Sequence, residues 1–173
     1  MSAPSYKIEI ESIDRIGWEH LTSQFDDASL YQTWAFGGSS SRTRSVSHIV
    51  IKRGEEIIGC CQLRIRRIPL LNIGIADINS GPLCQRKARL FEPKELFYLM
   101  RKIKEEYAIR RGYMLRIWAH ATGEKKELLK RILETEGFRI NKTERPYRTF
   151  RIDLSPSLLP PLSSHPRHWK NFA

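Results

Sequence analysis

Three apolar runs between residues 47 and 82 show the alternation and the β-branched residues that are typical of strands. The turn-forming segments 53–55 and 67–69 separate these runs, so the sequence predicts an antiparallel meander. Side chains alternate along a strand, so the middle strand should have one apolar face and one basic face. The apolar face is expected to hold Ile57, Cys61, Leu63 and Ile65, and the basic face Gln62, Arg64 and Arg66.

Helical and strand patterns surround the meander. Before it, the pattern predicts a strand at 6–11, a helix at 13–25 capped by Ser12, and a short aromatic helix at 29–38. After it come a helix at 91–111, a strand at 113–119, a helix at 124–136 and strands at 138–141 and 148–154. The helix at 91–111 carries an apolar stripe of Leu96, Met100, Ile103 and Tyr107. This order predicts a mixed α/β fold in which a strand-helix-strand step makes a parallel crossover.

Length and charge limit the class of protein. The 173 residues suit one domain, and 30 basic against 19 acidic residues leave a formal charge of +11. That charge suits nucleic acid, phosphorylated substrates or an anionic membrane surface, and it equally suits a surface that is simply rich in Lys and Arg. No apolar run approaches a membrane span, so we expect a cytoplasmic protein, free or at the inner face of the membrane.

The cysteines and histidines suggest no metal site and no catalytic arrangement. Three cysteines without a CxxC spacing favour a reduced setting, and no metal is predicted. Cys60 and Cys61 are adjacent, so at most one of them should face the core and the other the basic side. The five histidines are scattered, and we expect each to be a surface or capping residue.

Several polar and aromatic residues have two interpretations. Tyr31 and Trp34 could stack on a base or sugar, or they could belong to the core. Arg64 and Arg66 could line a groove for an anionic substrate, or they could form the wet face of a sheet. Similarly, Asp77 and Asn79 share one face of a strand and could enter a cleft, or they could make hydrogen bonds at a strand edge.

The predicted order of elements is similar to that of the GNAT acyltransferases, and it implies a GNAT-like mixed sheet flanked by helices. In members that use acetyl-CoA, a Gly-rich loop between the fourth strand and the following helix binds the diphosphate at the helix N-terminus. The corresponding junction in this chain has one glycine, Gly81, followed by Pro82. The coenzyme A signature of the family is therefore missing from the sequence.

A narrower resemblance follows from four motifs in order: residues 30–37 (LYQTWAFG), 75–83 (IADINSGPL), 136–138 (EGF) and 149–155 (TFRIDLS). They resemble the N-terminal half of FemA/FemB-type proteins, which consist of two GNAT-like domains. Characterised members transfer amino acids from aminoacyl-tRNA to peptidoglycan precursors, and others are regarded as acetyltransferases of envelope polysaccharide systems. The resemblance implies a GNAT-like domain at 1–154 and a Pro/Ser-rich linker at 155–173 that leads toward a second domain.

The resemblance implies a domain that is incomplete alone and works with a partner chain or by self-association. Its acyl donor would be aminoacyl-tRNA or acetyl-CoA, and its substrate an anionic nucleotide- or lipid-linked cell-wall precursor. The alternatives are a single-domain N-acetyltransferase that uses acetyl-CoA and a basic RNA-binding module.

The candidate substrate-binding residues combine the motifs with the basic strand face. Family members that grip a diphosphate use a lysine shortly after the Gln-Ser/Thr motif, and the nearest basic residue here is Arg42. An arginine binds phosphate bidentately, so that role passes to Arg42 as a hypothesis. The full set of candidates is Gln32, Trp34, Arg42, Arg64 and Asn79.

Overall fold

The computed structural model describes residues 6–38, 44–68, 73–119, 121 and 123–141. The chain divides at Arg139 into two compact units, and every helix and strand described below belongs to the first. Arg42, the predicted strand at 148–154 and the predicted linker lie outside the described residues. The expected domain boundary at residue 154 therefore stays a prediction.

The described residues form one sheet whose strands follow the order of the sequence. The strands are β1 (Tyr6–Ile10), β2 (Arg44–Arg53), β3 (Glu56–Arg67), β4 (Gly74–Asn79) and β5 (Tyr113–Trp118). Neighbours from β1 to β4 are antiparallel, whereas β4 and β5 are parallel. Gly54 turns the chain between β2 and β3 with a φ of +61°, which suits glycine. The predicted meander and the crossover are both confirmed.

Four α-helices accompany this sheet in the described part of the chain: α1 (Arg15–Thr22), α2 (Trp34–Gly38), α3 (Pro93–Ile103) and α4 (Gly123–Thr135). A 3₁₀ turn at Leu30–Gln32 precedes α2, and a π-helical segment at Lys104–Arg110 extends α3. The cap of α1 is Asp14 rather than the expected Ser12, since its carboxylate accepts a 2.8 Å hydrogen bond from the Gly17 amide. Pro93 opens α3 at a position where its missing N–H costs nothing.

The main core lies between one face of the sheet and helices α3 and α4. The predicted stripe of α3 is confirmed, because its members are buried against the apolar residues of β2, β3 and β4. Tyr107 lies in the π-helical segment, and its hydroxyl is 2.6 Å from the Ser47 hydroxyl of β2. The helices that follow the meander thus cover its apolar face.

A second, smaller core covers part of the opposite face. Trp18, Leu21 and Phe25 pack there against Val50, Cys60 and Leu83. The expectation of a wholly basic face is therefore wrong at this end of β3. For the same reason Cys60 and Cys61 are both 0% exposed, although only one of them was expected in the core. Each thiol faces a different core.

An irregularity in β3 changes which face its first residues occupy. Ile51 lies opposite Gly59 and Lys52 lies opposite Ile57, so Ile58 is an extra residue. Ile58 is buried in the main core, whereas Ile57 packs beside the second core. The prediction that Ile57 shares a face with Cys61 is wrong, because strict alternation does not continue through a bulge.

The predicted strand at 138–141 is also wrong, because its first residue completes the end of α4. Gly137 has a φ of +84°, and its amide donates to the Glu134 carbonyl at 3.0 Å. The Phe138 amide donates to the Leu133 carbonyl at 2.9 Å. These two hydrogen bonds together form a Schellman cap. Such caps favour an apolar residue directly after the glycine, and Phe138 packs on the main core.

Candidate functional site

The side chain of Gln32 bridges β3 and β4 at the point where the hydrogen bonds between the two strands end. That ladder ends at Leu63 and Ile78, and the next residues along the two strands are Gln62 and Asn79. The Gln32 Oε1 accepts from the Gln62 amide at 2.7 Å, and its Nε2 donates to the Asn79 carbonyl at 2.8 Å. Gln32 is 1% exposed. It therefore fixes the end of β4, where the candidate residue Asn79 lies.

The side chain of Gln62 is buried and anchors the segment before α2. Its Nε2 donates to the carbonyls of Thr33 at 2.9 Å and Tyr31 at 3.3 Å. Its Oε1 lies 3.0 Å from the Nε2 of His48. Gln62 was expected on the basic surface, but it instead connects β3 to the motif that contains Gln32.

His48 is enclosed by aromatic rings and is not the surface or capping residue that we expected. Trp34 stacks on it with centroids 4.4 Å apart, and Trp18 lies 4.5 Å away at a tilt. Burial lowers the pKa of His48, and the hydrogen bond to Gln62 opposes this shift only in part. His48 is therefore a core residue whose neutral form is favoured by burial. Trp34 is half-buried, and its role in substrate binding stays a prediction.

A mixed polar surface lies beyond the second core. We call it the β3–β5 polar face and define it by the side chains that point away from the main core on these strands: Arg64, Arg66, Ile75, Asp77, Asn79, Met114, Arg116 and Trp118. Met114 is 56% exposed and Trp118 is 39% exposed. The face therefore combines accessible apolar groups with charged ones.

Asp77 lies between two arginines of this face. It accepts two hydrogen bonds from Arg116, at 2.7 Å from Nε and 3.1 Å from Nη2. The Nη2 of Arg66 lies 3.7 Å from the same carboxylate. The edge hydrogen bonding that we considered for Asp77 is thus present, in the form of a bidentate ion pair with the neighbouring strand.

Arg64 is the third arginine of the face and lies opposite Asp77 in the β3–β4 register. Its guanidinium carbon is 4.7 Å from the centroid of the Phe36 ring, a cation–π distance that orients the planar group. Among the described residues, three arginines thus share this face with one carboxylate. Guanidinium groups bind anions, so the face is a candidate anion-binding surface.

Two residues of these sites escaped the sequence interpretation. Arg116 was missed although it interrupts the apolar pattern of β5, between Leu115 and Ile117. The burial of His48 was missed although His48 is two residues from both Val46 and Val50. In a strand this spacing places all three side chains on the same face. In both cases the signal was a polar residue at a regular position in a strand.

The described residues contain no group of three or more His, Cys, Asp or Glu side chains that could hold a metal ion. Within the same residues, no helix has the length and apolar character needed to cross a membrane.

No protein-family model and no curated protein sequence matches this chain. Among solved structures, FemX matches with a TM-score of 0.60 and 19% identity over 76% of this chain. A probable acetyltransferase matches with a TM-score of 0.52 and 18% identity over 85% of the chain. A ribosomal-protein-alanine N-acetyltransferase from Brucella melitensis biovar Abortus 2308 matches with a TM-score of 0.53 and 9% identity over 84% of this chain.

These matches establish the class of fold. The chain has the mixed α/β fold of the GNAT acyltransferases, as the sequence predicted. It spans 32% of the length of FemX, but 99% and 100% of the two acetyltransferases.

Proposed function

We propose that this chain is a FemAB-like acyl or aminoacyl transferase domain whose β3–β5 polar face binds an anionic, nucleotide- or lipid-linked cell-wall precursor. The observation that carries the proposal is that Arg64, Arg66 and Arg116 lie together beside Asp77 on this face. Arginine binds phosphate oxygens in pairs, and a diphosphate offers enough oxygens for two guanidinium groups. The fold match with FemX supports the class of reaction.

In this proposal the chain supplies one GNAT-like domain of a transferase. It spans 32% of the length of FemX. The resemblance to two-domain proteins implies that a partner chain or a second copy would complete the substrate cleft. The donor is aminoacyl-tRNA in the leading form of the proposal and acetyl-CoA in the alternative. The protein would then work in the cytoplasm or at the inner face of the membrane, where such precursors are built.

A direct test is titration of the protein with a nucleotide-diphosphate-linked cell-wall precursor in a calorimeter. Replacing Arg64 and Arg66 by alanine should weaken binding at least about tenfold, because a hydrogen bond to a charged group contributes roughly 1.5–3 kcal/mol. The dependence of binding on salt should also decrease.

The matched control removes two positive charges elsewhere. Lys126 and Lys130 are exposed on α4, so their double alanine variant has the same net charge as the arginine variant. It should bind like the wild type. Equal losses in both variants would mean that only overall charge matters, and unchanged binding in the arginine variant would refute the proposed site.

The near-complete coverage of two acetyltransferases favours a second candidate, a single-domain N-acetyltransferase. Acetyl-CoA should then raise the melting temperature of the isolated chain, whereas the leading proposal expects no such effect.

Trp118 is 39% exposed and lies two residues from Arg116, which is the register partner of Asp77. An accessible aromatic ring beside an arginine can stack on a base, and this favours a third candidate, an RNA-binding module. Salt-sensitive binding to tRNA without any binding of the precursor would support it.

A further inference from the structure

The junction between β4 and α3 is the place where the GNAT resemblance implies a diphosphate of coenzyme A. Glu92 caps α3, Pro93 follows it without an N–H, and Glu95 completes the first turn. A diphosphate at a helix N-terminus needs free N–H donors and a positive field.

Carboxylates already occupy the helix N-terminus. Glu95 is 2% exposed, and Arg89 donates to both of its oxygens at 2.9 and 2.6 Å. Arg53 adds a third contact, 3.0 Å from the same carboxylate. A buried acid held by two arginines complements the helix dipole that a phosphate would otherwise use.

The two arginines are also neutralised from other sides. Arg89 and Arg53 contact Glu56 at 3.0 and 3.1 Å, and Glu92 lies 3.5 Å from Arg53. The Lys94 ammonium lies 2.7 Å from Glu92, so three cations pair with three carboxylates. An incoming diphosphate would have to displace a carboxylate from this closed network, which disfavours its binding.

The backbone donors of the junction are largely used by the chain itself. The amide of Ser80 donates to the Trp118 carbonyl at 2.9 Å, and that of Leu83 donates to the Cys60 carbonyl at 2.9 Å. The Asp27 carboxylate accepts from the amides of Cys84 at 3.0 Å and Gln85 at 3.2 Å. These N–H groups cannot also cradle a phosphate.

We infer that the chain's own carboxylates and hydrogen bonds close the coenzyme A position of this fold, so that coenzyme A is not a ligand of the β4–α3 junction. The backbone of β4 supports this, since it is paired to β5 as far as Asn79 and is held on the other side by Gln32. The inference does not depend on the proposed substrate of the β3–β5 polar face.

The test maps backbone amide shifts of the ¹⁵N-labelled chain during titration with coenzyme A and with inorganic pyrophosphate. We expect no saturable shift between residues 80 and 95 with either probe up to millimolar concentration. A saturable shift there with coenzyme A would overturn the inference. Shifts confined to β3, β4 and β5 would instead report on the polar face, which keeps the two proposals distinguishable.

The second part of the test asks whether glutamate-to-glutamine variants gain pyrophosphate binding. Glu92→Gln with Glu95→Gln leaves Arg53 and Arg89 without two of their carboxylates, so pyrophosphate should bind at least tenfold more tightly than in the wild type. Glu127→Gln with Glu134→Gln changes two exposed acids of α4 and gives the same net charge. That control should not gain binding at the junction.

The single variant Glu92→Gln covers the case in which loss of the buried Glu95 prevents folding, since the Glu92 side chain is 35% exposed. It should gain pyrophosphate binding by a smaller factor than the double variant. If neither variant binds better than the wild type and the α4 control, the carboxylates are not what excludes the anion, and the inference fails.

Discussion

The Gln32 side chain donates a 2.8 Å hydrogen bond to the backbone carbonyl of Asn79, forty-seven residues further along the chain. Together with its bond to the Gln62 amide, this contact supplies the hydrogen bonds that the β3–β4 ladder loses where the strands separate. Replacing Gln32 by alanine leaves these backbone groups buried and unpaired. We expect a loss of about 1–3 kcal/mol in the free energy of unfolding, measured with urea.

Gln24→Ala is a suitable comparison, because its partly buried side chain bonds to His20 and Arg86 at the surface of α1 and the junction. Its loss should be smaller than that of Gln32→Ala. Equal losses would show that the ladder position of Gln32 has no special importance.

Gly81 lies so close to Gln32 that an added methyl group would clash. A Cβ at this position would come within 2.7 Å of the Gln32 Nε2. Gly81→Ala should therefore destabilise the protein by roughly 1–3 kcal/mol. Gly38→Ala is the control, since its Cβ would meet nothing within 4 Å.

A double-mutant cycle tests the cause. If the Gln32 side chain is the obstacle, Gly81→Ala should cost less in the Gln32→Ala background than in the wild type. Strict additivity of the two losses would place the cause elsewhere.

His48 should make the stability depend on pH in the mildly acidic range. Its pKa is lowered by burial in the folded protein, so the unfolded chain binds the proton more readily. Stability is therefore retained above about pH 6.5, the ordinary pKa of histidine, and decreases as the pH falls below it. The slope for one such group is at most about 1.4 kcal/mol per pH unit.

His48→Asn, followed by thermal unfolding between pH 7.5 and 5, should remove that part of the slope. Carboxylates with a lowered pKa, such as Glu9 and Glu106, add to the loss only in a more acidic range, near their ordinary value of 4.5. An unchanged slope in the variant would mean that the pKa of His48 is the same in the folded and the unfolded protein.

Asp77→Asn should strengthen binding of a phosphorylated ligand at the β3–β5 polar face. The change removes the negative charge that Arg116 and Arg66 now share. One unit of charge a few ångströms from the ligand is worth about 1 kcal/mol at the dielectric constant of water, or roughly fivefold in affinity. The effect should disappear at high salt, and a calorimetric titration at two salt concentrations would detect it.

The thiols of Cys60 and Cys61 should be almost unreactive in the folded protein. Burial raises the pKa of both and removes them from solvent. In a Cys84→Ser variant, modification by a chromogenic disulfide reagent should be more than about 100-fold slower than in urea, because reaction requires opening of a core. Rapid labelling of the native variant would contradict the burial of these residues.

The regular parts of the fold were predictable because their sequence signals are local. Turn glycines, the stripe of α3 and the alternation in β3 and β4 each follow from spacing within a few residues. The bulge at Ile58 was not predictable in this way, because an apolar residue on either face satisfies the same pattern. Phe138 likewise fits a strand and a helix cap equally well until the position of α4 is known.

The candidate site was less predictable than the fold. Gln32 and Trp34 were singled out by motif, but their contacts with Gln62 and His48 depend on chain segments that are distant in sequence. Arg64 and Arg66 were found from alternation alone. The pairing of Asp77 with Arg116 required the register of the parallel strands, which one sequence does not reveal.

The sheet is sandwiched between two cores at β2 and the first half of β3, but its β3–β5 polar face is exposed on one side. Amide hydrogens in the sandwiched half should exchange with solvent only through large unfolding events, whereas those of β5 should exchange through smaller local openings. In the described part of the chain β5 pairs with β4 alone. We therefore expect a ligand at the β3–β5 polar face to change amide exchange in β5 more than in β2.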